Sequence, residues 1–289
     1  MAIRKLLGKS LQLCITTFCV YYTVSNINGS QLVDTIHNTR LEYIAGALTL
    51  FMLSQVVSSF RVYNIFRRFN YKLSWQSNMK LYAAGLFYNF FLPGGVGGDA
   101  YKGVRLRSVL GWPSKQILKM LFLDRAIGFG VLAVMIILLD PSGVLIPMLG
   151  LRLIAVVAMI AVGYAITHYI FKSQMIYFHT FGYSVMAQFL QISAVILIIE
   201  GMGIESTVSL MVWIFLISSA AGIISFAGIG VREFLFLSSA QFLALSGETS
   251  ATVGLWISII GAIVSFMGGY FILFPKKQEL ENEIHLKTT

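Results

Sequence analysis

Six stretches of this chain, at roughly 10–28, 41–60, 119–139, 152–171, 183–200 and 253–274, run for about 20 residues with few charges. At the ~1.5 Å rise of an α-helix, that length matches the ~30 Å hydrocarbon core of a bilayer. An open strand edge in lipid leaves N–H and C=O groups unsatisfied, so such runs fold as helices. The pattern predicts an all-α polytopic membrane protein with six transmembrane helices. Composition agrees, because 57% of the residues are hydrophobic and 11% charged, too apolar for a soluble domain of 289 residues. The formal charge of +9 then marks which side of the membrane each loop occupies, and nucleic-acid binding is the poor reading of it.

Two further apolar stretches, roughly 79–93 and 208–226, run into glycines, LPGGVGG in the first case and FAGIG in the second. Arg61, Arg67, Arg68, Lys72 and Lys80 precede the first, and Lys102, Arg105, Arg107, Lys115 and Lys119 follow it. Basic flanks stay in the cytoplasm, so residues 79 to about 110 are expected to enter and leave from that side as a glycine-broken re-entrant hairpin. The alternative is a full span with one basic flank outside. Arg4, Lys5 and Lys9 place the N-terminus in the cytoplasm, and Lys276 and Lys277 do the same for the C-terminus. The basic, apolar start has no small-x-small cleavage site after it, which predicts an uncleaved first helix. Residues 208–246 either cross twice or form a second hairpin from outside, and charge alone does not choose.

Helix, helix, glycine-broken hairpin, helix describes both 10–139 and 152–274, starting from opposite sides. This predicts an inverted-topology repeat within one domain, 1–275, followed by a short polar cytoplasmic tail, 276–289. Repeats of this kind build substrate sites near the midplane from discontinuous helices.

The stretch FFLPGGVGGDAYKGVRL, 90–106, carries the most chemistry. A break at Pro93, Gly94 and Gly95, continuing through Gly97 and Gly98, exposes backbone N–H groups, and a helix starting near Asp99 adds its positive end. Such a nest suits a phosphodiester headgroup. Lys102 and Arg105, three residues apart, share a helix face and extend the site, whereas Arg107 points elsewhere. On the competing reading the proline and glycines only turn the hairpin, with Asp99 as an N-cap. Asn89, one turn before the break, either caps freed carbonyls or binds the headgroup.

Asp99 repels an anion unless a cation neutralises it. Asp124 and Arg125 are adjacent, as are Arg232 and Glu233, and adjacent helical residues point apart. Their partners are expected on other elements: Asp99 and Glu233 with Arg125, and Asp124 with Arg232, in a buried network joining the two breaks. The alternative places each charge at a wet interface. Gly228 and Gly230 mark the second helix break, and Arg152 is expected to pair with Glu200. Cys14 and Cys19 read as packing residues. His37, His168, His179 and His285 lack metal-ligand spacing, so no metal, cofactor or catalytic residue is expected. Trp75, Trp112, Trp213 and Trp256 read as interface anchors or packing residues, with Trp112, beside Pro113, expected to mark the cytoplasmic surface.

FFLPGGVGGDAYKGVRL, LDRAIGF at 123–129 and GIGVREF at 228–234, in this order and spacing, resemble the transmembrane, flippase-like region of the lysylphosphatidylglycerol synthase family. Larger members join this region to a cytoplasmic domain that transfers an amino acid from aminoacyl-tRNA to phosphatidylglycerol, and no such domain is recognised here. Two departures stand out: Phe226 and Ala227 where proline is usual, and Lys102 where arginine is more usual, which keeps the charge without the bidentate geometry. The resemblance implies translocation of an anionic phospholipid or lipid-linked glycan across the cytoplasmic membrane. Its partner is then a membrane lipid, with room for a homo-oligomer or an envelope-synthesis enzyme. Two alternatives remain: an accessory protein or membrane-embedded transferase in lipid or envelope-glycan synthesis, and a secondary transporter for a small anion.

Overall fold

The computed structural model describes residues 2–91, 96–141, 143–171, 174–222 and 228–273, with backbone only at 2–13, 170, 171, 174, 175 and 273. No strand occurs among the described residues. The helices are α1 (Ala2–Ser25), α2 (Gly29–His37), α3 (Leu41–Arg68), α4 (Trp75–Phe91), α5 (Gly97–Leu110), α6 (Ser114–Leu138), α7 (Leu149–Phe171), α8 (Gln174–Gly201), α9 (Val208–Ala221), α10 (Val231–Ser238), α11 (Ala240–Leu243) and α12 (Gly247–Leu273).

Five segments are long and apolar enough to cross a membrane: Leu41–Arg68, Ser114–Leu138, Leu149–Tyr169, Ile176–Gly201 and Gly247–Ile272. They match five of the six expected spans. The sixth, 10–28, falls in α1, of which Cys14–Ser25 forms a shorter apolar helix among the described side chains. Along α7, Leu149, Leu151, Ile154, Val157, Val162 and Ile166 are all exposed. An apolar face of that extent is untenable in water and natural against lipid tails.

Two cores hold the bundle, one at each end of the long helices. Ile44 and Ala47 of α3 pack with Ile198 and Ile199 of α8, Phe215 of α9, Phe236 of α10 and Ile257 of α12. At the other end, Val62, Ile65 and Phe66 of α3 pack with Leu106 of α5, Met120 of α6 and Tyr177 of α8. Trp112 belongs to this second core, 3% exposed against Phe66 and Tyr71, so of its two expected roles it takes packing. Lipid tails are as apolar as leucine, so close packing rather than expulsion of water holds such helices together. Missing side chains bring the backbones close: a Cβ on Gly268 of α12 would stand 1.9 Å from the Ala83 carbonyl oxygen of α4.

Four of the contacts between helices have counterparts later in the chain. α3 packs on α4 as α8 packs on α9, and α4 on α5 as α9 on α10. α5 meets α6 as α10 meets α12, and α12 clasps α4 as α6 touches α9. Among the described residues the most extensive contact between helices joins α3 to α8.

Candidate functional site

Between the two cores, halfway along α3 and α8, the helices turn polar. Ser54, Ser58 and Arg61 follow helical spacing on α3, as do Thr180, Ser184, Gln188 and Gln191 on α8. These stripes face each other. The Gln191 amide donates to Ser54 Oγ at 3.3 Å, and Tyr82 Oη donates to Gln55 Oε1 at 3.3 Å. A cavity of about 510 Å³ opens here, lined from α3, α4, α5, α6, α8 and α9.

Five charged groups among the described residues line it: Arg61, Asp99, Lys102, Asp124 and Arg125. Arg61 forks onto Asp124, with Nε to Oδ1 at 2.6 Å and Nη2 to Oδ2 at 3.1 Å. Its third donor, Nη1, reaches Ser184 Oγ at 2.9 Å. Asp99 is shared, accepting from Arg125 Nε at 2.5 Å and from Lys102 Nζ at 3.2 Å. Lys102 is 4% exposed and also lies over the Tyr82 ring, 4.8 Å from its centroid. Arg125 differs, with 40% of its side chain accessible. Three cations against two carboxylates leave the cavity with one net positive charge. The exposed side chains of Phe122 and Phe129 line it as well.

The first break is locked from both sides. α5 begins at Gly97, with Val96 as N-cap, so Asp99 sits in the first turn and is not the cap itself. Asn89 Oδ1 accepts the Gly98 N–H at 2.7 Å, satisfying a donor that the new helix start leaves open. Asn89 thus caps an N–H of the following helix rather than carbonyls of its own. Gly98 is the only residue type that fits, since a Cβ there would lie 2.2 Å from the Gly85 carbonyl oxygen. Pro93, Gly94 and Gly95, the expected centre of the nest, lie outside the described residues. Arg105 is half-buried, one turn beyond Lys102, and does not line the cavity.

The second break is built differently. Gly228 and Gly230 adopt φ of +82° and +80°, a left-handed backbone that side chains disfavour. Glu233 accepts the Gly230 N–H at 2.7 Å and so caps α10. Phe226 and Ala227 lie outside the described residues.

The expected network is therefore redrawn. The Arg125–Asp99 pair is present, whereas Glu233 turns back onto its own helix start and Asp124 pairs with Arg61. Arg232 meets no carboxylate among the described residues. The physical reason is reach: Arg61 offers Asp124 a two-pronged fork from the facing helix α3, and a cap three residues away satisfies Glu233 locally. Arg152 likewise does not pair with Glu200. It ties Asp140 to Ile146, donating to their carbonyls at 2.7 and 2.6 Å with the Asp140 carboxylate 3.6 Å away. Among the described residues no group of three or more His, Cys, Asp or Glu side chains is arranged to hold a metal.

A family model described as the lysylphosphatidylglycerol synthase TM region matches residues 10–179. The chain belongs to this family. No curated protein matches it, and neither does any solved structure. The match spans more than half of the chain, including the first break, Arg61, Asp99, Lys102, Asp124 and Arg125. Together with the five apolar helices, it makes the protein a multi-pass integral membrane protein of a lipid-related family.

Arg61 is the charged residue of the candidate site that sequence reasoning missed, having been taken for a cytoplasmic flank. Its signal was the serine spacing before it, Ser54, Ser58, Arg61, which continues the polar face of α3.

Proposed function

We propose that this membrane protein translocates an anionic phospholipid or lipid-linked glycan across the cytoplasmic membrane, with the cavity between α3, α6 and α8 as the headgroup path. The observation that carries the reading is the cavity itself: net positive, midway along two membrane-length helices, and lined by the exposed Phe122 and Phe129. A headgroup can shed its water onto Gln55, Arg125 and Lys102 while its tails stay beside those phenylalanines in the bilayer. A transporter for a small soluble anion has no use for an apolar flank of that kind, which favours lipid.

The topology that goes with this reading has both termini in the cytoplasm, α1 as a sixth span, and α4–α5 and α9–α10 as re-entrant hairpins. Helix length supports it. α4, α5, α9 and α10 have 17, 14, 14 and 8 residues, each below the ~20 residues a span requires. The matched contacts support an inverted repeat, as does the placing of Asp99 and Glu233 at the third position of α5 and α10. No energy source is needed for passive equilibration between leaflets.

The test is fluorescently labelled phosphatidylglycerol in proteoliposomes, with dithionite added to bleach the outer leaflet. Translocation exposes nearly all of the label, and liposomes without protein protect about half. Equal bleaching with and without protein sinks the reading.

A further inference from the structure

A second cavity, of about 260 Å³, adjoins the first and shares Gln55, Leu86, Asn89 and Ser219 with it. Its charged lining residue is Arg232, the second residue of α10. The guanidinium is under-used. Among the described residues Nε is buried with no hydrogen-bond partner, and the contact that Nη1 makes, to Ser258 Oγ, is stretched to 3.5 Å. The neighbouring carboxylate is spent, since Glu233 accepts the Gly230 N–H. Gly228, in its left-handed conformation, backs the guanidinium, where a Cβ would lie 3.3 Å from Nη2.

An arginine in a membrane helix bundle is costly and is normally paired. The other arginines near the middle of this bundle obey that rule, Arg61 with Asp124 and Arg125 with Asp99. Arg232 instead borders a cavity whose other polar linings among the described residues, Gln55, Asn89, Ser219, Ser258 and Ser265, are neutral, and no described carboxylate pairs with it. A planar fork of donors with no resident carboxylate is the arrangement that takes a phosphate oxyanion.

We propose that Arg232 is a second anion subsite, taking a phosphate group, separate from the Asp99-shared cations of the first cavity and reached from it past Gln55 and Asn89. The identification of that phosphate with a lipid headgroup rests on the translocation reading above. On that reading the phosphate passes from Lys102 and Arg125, carried by the first break, to Arg232, carried by the second. The two subsites differ in kind. At the first, a ligand competes with Asp99 for its cations; at the second, it meets one that no carboxylate among the described residues holds.

The test is modification of Arg232 in the detergent-purified full chain by phenylglyoxal, read by peptide mass spectrometry, in four arms. These are no addition, inorganic phosphate, dioctanoyl phosphatidylglycerol and dioctanoylglycerol, the last having the tails without the phosphate. Protection by the phospholipid but not by dioctanoylglycerol, at least fivefold, is expected. Protection by inorganic phosphate alone keeps the subsite and removes the lipid reading. Equal labelling in all arms overturns the subsite. Binding of dioctanoyl phosphatidylglycerol by native mass spectrometry gives a second measure: R232Q weakens it tenfold or more and R232K less. An R232Q protein that keeps its melting temperature and binds within twofold of wild type also overturns it. Lipid translocation is scored separately, so intact translocation with no Arg232 protection leaves the function standing without the subsite.

Discussion

The Arg61–Asp124 fork is the most exposed point of the architecture to a single substitution. Asp124→Leu leaves the Arg61 guanidinium facing an apolar wall with Ser184 as its remaining hydrogen-bond acceptor. Stranding one member of a buried pair costs about 3–5 kcal/mol, which for a domain of this size lowers the melting temperature by roughly 10 °C. Arg61→Met strands the carboxylate and is expected to cost a similar amount. The double variant R61M/D124L removes both charges at once. Ser184 is not orphaned by it, since its hydroxyl still donates to the Thr180 carbonyl at 2.8 Å. The double is therefore expected within about 1 kcal/mol of wild type, or above it. The pair's coupling energy follows from the four melting or denaturant curves in one detergent. If the double is as unstable as the sum of the singles, the pair is not a closed unit and the reasoning fails. Lipid translocation adds a second readout, because a cavity that has lost its fork but kept its fold still retains Lys102 and Arg125.

Gly98→Ala, which drives a Cβ into the Gly85 carbonyl, is expected to cost about 2–3 kcal/mol by overpacking. Gly103→Ala, whose Cβ would meet only Ile117 at 3.9 Å, is expected to be neutral or to gain up to about 1 kcal/mol in helix propensity; thermal unfolding in detergent compares the two. Asn89→Ala removes the acceptor of the Gly98 N–H and is expected to cost about 1–2 kcal/mol and to speed hydrogen exchange at the start of α5, with Asn89→Asp retaining protection. Arg125→Gln is expected to lower translocation roughly tenfold, the equivalent of about 1.4 kcal/mol, while shifting the melting temperature little. Arg125 is 40% accessible and Asp99 keeps Lys102. Unchanged translocation in that variant removes Arg125 from the headgroup path.

The spans were legible in the sequence because hydropathy is a sum over neighbours, and about 20 apolar residues in a row admit one solution in lipid. Their ends were less legible for a reason visible in α8. The helix starts at Gln174, not near 183, because its inward stripe of Thr180, Ser184 and Gln188 dilutes the average that marks a span. The same dilution moved Arg61 out of α3 and into a supposed loop. Pairing was legible only in part. That Asp124 and Arg125 need partners elsewhere follows from the geometry of adjacent residues, but which cation answers Asp124 depends on how α3 crosses α6, a contact 63 positions distant. Glu233 was misjudged because a carboxylate three residues after a glycine turn has a local acceptor role that needs no second element. Arg232 was then assigned Asp124, which Arg61 holds instead.

The contact between Ala83 and Gly268 has a consequence for how the chain is made. α4 is clasped by the last long helix, so it waits for its neighbour until the ribosome has moved on from residue 83 to residue 268. At about 5–20 residues per second, that interval is roughly 10–40 s. During it the polar stripe of α3 and the charges of α5 and α6 stand in the insertion machinery or the bilayer without their final enclosure. The early pairs, Arg61 with Asp124 and Asp99 with Lys102 and Arg125, all lie within the first 125 residues. They close the charges on one another before the clasp arrives, and so act as a temporary seal on a half-built protein.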